Sequence, residues 1–468
     1  MLKSTLKTTT TLVAATVLGG AALADGHGNN YGPYPVTLKG YSGDKTNSVS
    51  YSGQIARHAL HDSLKKLAGK GDGSNAADLE AQMMAYYNGK NPDLAIIAPA
   101  DKDGVDIKQS TMGDLSGGAN LAGKFYDGAM PAWPGNMTGK GVIEDMIKRA
   151  AASTKGWDAK TGMDWGQLIS KYTMGAVSYH QAVDNYLDEK MQADNKPNNK
   201  PYKDGAHYTG KEHSWDEAFG YWGAAAHSIT LSPAENYTVA KLKDPSLNDA
   251  NGDGVIDLKT EMVFGPAYYA AGADKSGNSN YLPTIFNAFT AGRNLIASAN
   301  GEALTAEQLA ELQGHAATIE AEWEKVLAEA AFKYAGSVYK DINKMKEAEG
   351  EAKDKAYRDY GKHWGELKGF VMAMQTGKNN LGATAVKLND LIGFGPVTLD
   401  NSYVTGIDAD GNFTMDRKKT WSDYQLAMLE VQKMLADEFG LKALANNQMA
   451  ELEGLADKLG SDSNAETD

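Results

Sequence analysis

The sequence predicts a mainly α-helical protein made of two tandem-duplicated helical bundles, with at most a small hairpin. Three observations predict it. Amphipathic runs with helix-start signals follow one another along most of the chain, whereas strand signals are few. Short marks recur in the same order in both halves. The stretch Gly361-Lys362-His363-Trp364-Gly365-Glu366 has a longer echo at His213-Ser214-Trp215-Asp216-Glu217, which runs on to Tyr221-Trp222-Gly223.

The elements follow in order. Residues 1–24 read as a cleaved secretory signal: Lys3 and Lys7 open it, residues 11–20 are apolar but too short to span a bilayer, and Ala22-Leu23-Ala24 has the small-x-small form of a cleavage site. No cysteine follows, so the expectation is a periplasmic protein without a lipid anchor. Residues 25–50 are a Gly/Asn/Pro-rich irregular lead-in. The first bundle occupies 51–245. It opens with a helix from Gln54 to Ala68, closed by Gly69, and a second from the Ser74 cap through Tyr87. Residues 89–140 carry many Gly, Asp and Pro and read as a long loop insertion. A helix is predicted over 164–192. Ser214-x-x-Glu217 has the form of a capping box, and Ser232-Pro233-x-Glu235 starts a helix with proline in its first turn. Residues 246–262 form a calcium-type loop. The second bundle, 263–459, is helix after helix from Pro283, with boxes at Thr305/Gln308 and Ser422/Gln425 and a final helix over 441–459. Pro396–Leu399 and Ser402–Val404 are expected to pair as a hairpin. The polar tail 460–468 is expected to be disordered.

The repeat has three marks. Arg57 corresponds to Arg293, Gly175-Ala176 to Ala335-Gly336, and the first histidine motif to the second. Gly and Ala at such places let helices approach closely.

Bulk composition narrows the function. The formal charge is −14, and removal of a signal with two lysines and no acid takes it to −16. Such a polyanion is a poor partner for nucleic acid or an anionic membrane, and no later segment reads as a membrane span. There are no cysteines. Disulfides, thiolate zinc sites and thiol nucleophiles are excluded, and any metal must use oxygen or imidazole ligands.

The sharpest chemical pattern is Asp249-Ala250-Asn251-Gly252-Asp253-Gly254-Val255-Ile256-Asp257. Oxygen side chains at loop positions one, three, five and nine, with glycine at six, match an EF-hand calcium loop. Asp249, Asn251, Asp253, the Val255 carbonyl and Asp257 are the expected ligands. Thr260 stands at position twelve, and the closing acid, Glu261, falls one place later. Calcium is expected here as a structural staple. Asp408 to Phe413 and Asp101 to Asp106 read as polar turns.

His363 with Glu366, and His213 with Glu217, lie three or four residues apart and so share a helix face. Each pair is a candidate for a second metal site, for iron or zinc, against the plainer reading of a polar core contact. His180 is a candidate to complete such a site. No nucleophile elbow, phosphate loop or dinucleotide fingerprint is present.

Gly361-x-His363-x-x-Glu366 fits the Gly-x-His-x-x-Glu pattern of imelysin-like proteins, and 213–223 resembles a longer form of it. Ser50 to His58, Trp215 to Gly223 and Gly292-Arg293 resemble the bacterial exported family called domain of unknown function 4856. The imelysin-like resemblance implies duplicated helical bundles in the bacterial envelope and an association with iron uptake. The leading expectation is therefore a non-catalytic envelope protein that binds a metal ion or metal-bearing ligand, with an envelope protein as a possible partner. The alternatives are a metal-dependent hydrolase and a calcium-stabilised interaction or adhesion module.

Overall fold

The computed structural model describes residues 30–100, 104–452 and 454. The expected signal, 1–24, and the expected tail, 460–468, lie outside the described residues. Helix outweighs strand by 54% to 6%, so the chain is mainly α.

Helix α1 (Ser52–Ala68) ends at Gly69 as predicted. In α2 (Ala76–Asn88), Asn75 takes the cap position that Ser74 was expected to hold. Asp72 sets this register, because its carboxylate accepts from the N–H of both Ser74 and Asn75. Among its described residues, the insertion 89–140 holds only the short α3 (Met112–Leu115) before α4 (Gly139–Ala152) begins. Strands β1 (Trp157–Asp158) and β2 (Met163–Asp164) form a two-residue ladder and deliver the chain to α5 (Trp165–Thr173), which Asp164 caps through the Gln167 N–H. The helical path continues as predicted, but its turns widen to the π form over Met174–Tyr179 and Gln181–Tyr186.

The expected box at Ser214/Glu217 is not the cap of α6 (Gly210–Trp222). Thr209 and Glu212 form it instead: Thr209 Oγ1 accepts from the Glu212 N–H, and the Glu212 carboxylate accepts from the Thr209 N–H. The helix thus starts a turn early, and Ser214 and Glu217 lie inside it. Next come α7 (Pro233–Val239), which starts at Pro233 as predicted and is capped by a Ser232/Glu235 box, α8 (Pro245–Asn248), α9 (Gly265–Asp274) and α10 (Tyr281–Ser298). Helix α11 (Ala306–Glu347) starts at the predicted Thr305/Gln308 box. Then come α12 (Gly350–Met374), α13 (Gly382–Ile392) and α14 (Trp421–Phe439), the last capped by Thr420 rather than Ser422.

Two expectations fail at the C-terminal end. Ser402–Tyr403 (β3) pairs with Arg417–Lys418 (β6), and Gly406–Ile407 (β4) with Phe413–Thr414 (β5), so Pro396–Leu399 is not a hairpin strand. The Thr398 N–H instead closes a turn on the Ser402 carbonyl. Residues 441–449 are not helical. The buried Glu329 carboxylate takes the N–H groups of Lys442, Ala443 and Leu444, which a helix would leave free only in its first turn.

The buried apolar side chains from Tyr31 to Leu441 form one continuous core through both halves. The repeat marks fall on α1, the π segment and α6 in the first half, and on α10, α11 and α12 in the second. The halves interleave, since α12 packs on α5 as well as on α11, and α6 packs on both α1 and α10. Gly361, Gly365 and Gly369 recur every four residues and form one stripe of α12. A Cβ at Gly361 would lie 2.3 Å from the Gly162 carbonyl oxygen, one at Gly365 3.1 Å from that of Asp164, and one at Gly369 2.6 Å from Lys171 Cβ. At Gly361 and Gly369 a Cβ would force the neighbours apart, so glycine there lets α12 press against α5 and the ladder that precedes it.

The lead-in is anchored. Arg293 is fully buried; its Nε donates to Asp216 at 2.9 Å and its Nη2 to Ser48 Oγ at 2.6 Å. Tyr31 OH also donates to Asp216, and Thr37 Oγ1 to Glu212. One buried network thus joins the lead-in, α6 and α10.

Candidate functional site

The close contact of α5 with α12 opens onto a polar cavity of about 310 Å³. Helix α1 contributes His61, Asp62 and Lys65, and α5 contributes Ser170 and Lys171. Helix α9 adds Tyr268 and Tyr269, α11 adds Tyr334, and α12 adds Lys362 and Glu366. Its volume falls in the range of small-molecule sites. Lysines outnumber carboxylates on its wall, Lys65, Lys171, Lys241 and Lys362 against Asp62 and Glu366.

The Lys171 side chain is buried and its Nζ lies 3.8 Å from Glu366 Oε1. The Lys65 amine lines the same cavity beside it. Two ammonium groups held close together repel, so the Lys171 charge holds Lys65 down to about 8, with burial adding to the effect. Burial also lowers Lys171, against the pull of Glu366. Asp62 is pushed up to about 6 by burial, although both lysines oppose this. His61 falls to about 3, chiefly by burial, and stands 3.3 Å from Ser170 Oγ as a neutral ring. The tyrosines complete the lining: the Tyr269 ring centroid lies 5.4 Å from Lys171 Nζ, and burial holds the Tyr334 hydroxyl neutral. The widened π turn at Met174 borders this cavity, and π turns occur frequently at functional sites.

The sequence-predicted residues are placed as follows. Glu366 lines the cavity beside Lys171, while His363 Nδ1 is bound to the Asp341 carboxylate on α11. His363 and Glu366 thus serve different neighbours. In the first motif the pair is joined, His213 Nε2 lying 3.8 Å from Glu217 Oε2. Tyr208 stacks on His213 at 4.2 Å, and burial lowers the imidazole to about 4. Glu217 accepts from Gln54 and Tyr186, and Lys190 lies 4.0 Å away. His180 pairs with Asp184. Both motif tryptophans are core anchors: Trp215 Nε1 donates to the Phe289 carbonyl and Trp364 Nε1 to Tyr424 OH.

In the calcium-type loop, Asp249 accepts from the N–H groups of Gly252, Asp253 and Gly254, and Asp253 from that of Val255. Asn251 accepts from Asp253 N–H. Glu261, not Thr260, folds back over the loop and accepts from the N–H groups of Ala250, Asn251 and Asp257. Asp257 is engaged outside the loop, by Gln109 at 2.7 Å and Lys108 at 3.1 Å. Ile256 is buried and bridges to Ile107. Among the described residues, no three His, Asp or Glu side chains are grouped as they would be around a metal ion.

Sequence reasoning missed Lys65, Lys171, Asp62 and the tyrosines. The available signal was Lys171, a lone cation within the apolar run of a helix whose neighbours Leu168, Ile169 and Tyr172 are all core.

The fold and the cavity define a helical protein with a partly enclosed, cationic, small-molecule-sized site between its helices. The chain belongs to the family described as domain of unknown function (DUF4856), whose model matches residues 140–390, more than half of its length. Both histidine motifs, Lys171, Tyr334 and Glu366 lie inside the match, whereas Asp62 and Lys65 lie before it. Comparison with curated proteins and with solved structures gave no match. Among the described residues no helix is long and apolar enough to cross a membrane.

Proposed function

We propose that this is a non-catalytic binding protein of the bacterial envelope, and that its ligand is a small anion held in the lysine-lined cavity. The observation that carries the reading is the placing of Lys65 and Lys171 on one cavity wall, with Glu366 beside Lys171. Two adjacent amines on a cavity wall are costly to the free protein, and an anion between them relieves their repulsion. An anionic chelate presenting free carboxylates is the metal-bearing member of this class. The link to iron acquisition rests on the imelysin-like resemblance, and the separate neighbours of His363 and Glu366 favour a chelate over a bare ion there.

The test is calorimetric titration of the protein with citrate, inorganic phosphate and ferric citrate. One site is expected, and Lys171→Met should weaken it by about ten- to a hundredfold, the worth of one charged hydrogen bond. Retained melting behaviour in the variant separates lost binding from lost fold. If no anion binds, or if Lys171→Met binds as well as wild type, the reading fails. The iron association fails separately if ferric citrate binds no tighter than citrate.

The reading also predicts a pH dependence. Lys65 is cationic below about 8 and neutral above. It is faced by Asp62 and His61 on its own helix, Lys171 on α5, and Lys362 and Glu366 on α12. The tyrosines Tyr268, Tyr269 and Tyr334 complete the wall and stay neutral through this range. Anion affinity should therefore fall as pH rises through about 8. An affinity that holds constant across that interval would count against Lys65 as a ligand.

A second ion is favoured by the position of Glu261. We propose that residues 249–261 bind calcium as a staple, with Glu261 supplying the closing acid. Each carboxylate that accepts a backbone N–H retains lone pairs for a cation. Calcium at a hundred times its dissociation constant would add about 2.7 kcal/mol. A chelator should then lower the melting temperature of wild type and leave Asp253→Ala unchanged; equal melting with and without chelator would exclude the staple.

A further inference from the structure

The paired lysines have a chemical consequence beyond charge. We infer that Lys65 is a nucleophilic amine that captures a small carbonyl-bearing anion, such as a 2-oxo acid, as a reversible imine. The inference rests on the anion-binding reading above and names the class of its ligand.

Four features of the site carry it. Lys65 and Lys171 line one cavity as neighbours, so both cannot hold a full charge without mutual repulsion. Glu366 Oε1 lies 3.8 Å from Lys171 Nζ and favours the proton there, against the burial of that amine. Lys65 is therefore the amine of the pair that releases its proton first, near 8, and so supplies the lone pair. A lysine beside another cation is a recognised way to make an amine nucleophilic at neutral pH. Lys65 is half-buried and faces the cavity, so a ligand can reach it, whereas Lys171 is only 3% exposed. Asp62, three residues before Lys65 on α1, also lines the cavity, as an acid whose affinity for its proton is raised by burial. The chain has no cysteine, so no thiol competes for the carbonyl.

The step balances without an outside oxidant or reductant. The Lys65 lone pair forms a C–N bond to the carbonyl carbon, and the C=O π pair moves to oxygen. A proton passes from nitrogen to that oxygen to give a carbinolamine. Asp62 then donates a proton to the hydroxyl, the C–O bond breaks, and water leaves. The nitrogen lone pair forms the C=N bond, and the protonated imine returns its proton to Asp62. Addition of water reverses every step. Lys171 and the exposed Lys362 stand ready to hold the ligand's carboxylate.

The experiment uses the full chain with pyruvate as probe, lactate as its carbonyl-free analogue, and borohydride to reduce any imine to a stable secondary amine. Intact mass and peptide mapping read the adduct. One adduct is expected, on the peptide that carries Lys65. It should be suppressed by excess lactate and absent in Lys65→Arg, which keeps the charge, while Lys66→Arg on the exposed side of the same helix still forms it. Should Lys65→Arg fail to fold, mapping of the wild-type adduct and its protection by lactate decide alone. Adducts scattered over exposed lysines would overturn the inference. Pyruvate and lactate binding in the cavity without a borohydride-dependent adduct would also overturn it, and would leave the anion-binding reading standing. Absence of both binding and adduct would overturn the two together.

Discussion

Arg293→Met should destabilise the folded chain by about 3–5 kcal/mol, the usual cost of removing one partner of a buried ion pair. The substitution keeps most of the side-chain volume, so the loss is electrostatic. It leaves the Asp216 and Glu212 carboxylates buried without their cation and deprives Ser48 of its donor. Burial already pushes Asp216 up to about 6 in the presence of Arg293. Without the guanidinium the folded state should hold protons there that the unfolded chain has released. The native state then binds more protons than the unfolded one, so stability falls as pH rises. The deficit of the variant should accordingly be smaller below about 6 than above. Urea titrations monitored by circular dichroism on either side of that pH check both statements. A loss under about 1 kcal/mol, on the scale of an exposed pair, would mean that the network is not what ties the lead-in to α6 and α10.

This network shows where sequence reading stops. Arg293 was visible as one mark of a repeat, but its partners lie 77, 81 and 245 residues away. Local periodicity carries no information on such pairings. What was legible was local: the stop at Gly69, the proline start at Pro233 and the Thr305/Gln308 box each depend on groups within one turn. The errors have the opposite cause. The Ser214/Glu217 pattern satisfies the spacing of a capping box, yet Thr209/Glu212 satisfies it as well, and only the latter falls where the chain turns into the helix. Residues 441–449 have helical composition but lose their N–H groups to Glu329, more than a hundred residues earlier. The candidate site lies between these extremes. Glu366 was found through its motif, and Lys171 and Lys65 were missed because lysine on a helix is ordinarily solvated. Their function comes from the company that α1, α5 and α12 bring together.

That company depends on the glycine stripe of α12, which leads to the other large expected effect. Gly369→Ala places a methyl 2.6 Å from Lys171 Cβ and 3.3 Å from the Tyr172 nitrogen. Neither atom belongs to the free end of a side chain, so α5 and α12 must separate. Overpacking of this kind costs about 1–3 kcal/mol. Alanine is the better helix former by roughly 1 kcal/mol, which acts in the other direction and makes the measured loss a lower bound on the strain. Gly314→Ala on α11 isolates that opposing term, since a Cβ there meets nothing within 4 Å. It should stabilise the protein while Gly369→Ala destabilises it, and thermal melts of the two variants check the difference in sign. The same displacement moves Lys171 away from Lys65 and Glu366. Gly369→Ala should therefore also weaken citrate binding in the fraction that remains folded, although residue 369 is not among the cavity-lining residues. If it lost stability but bound citrate as wild type does, helix spacing would not govern the lysine pair, and the cavity would owe its geometry to α1 and α9 instead.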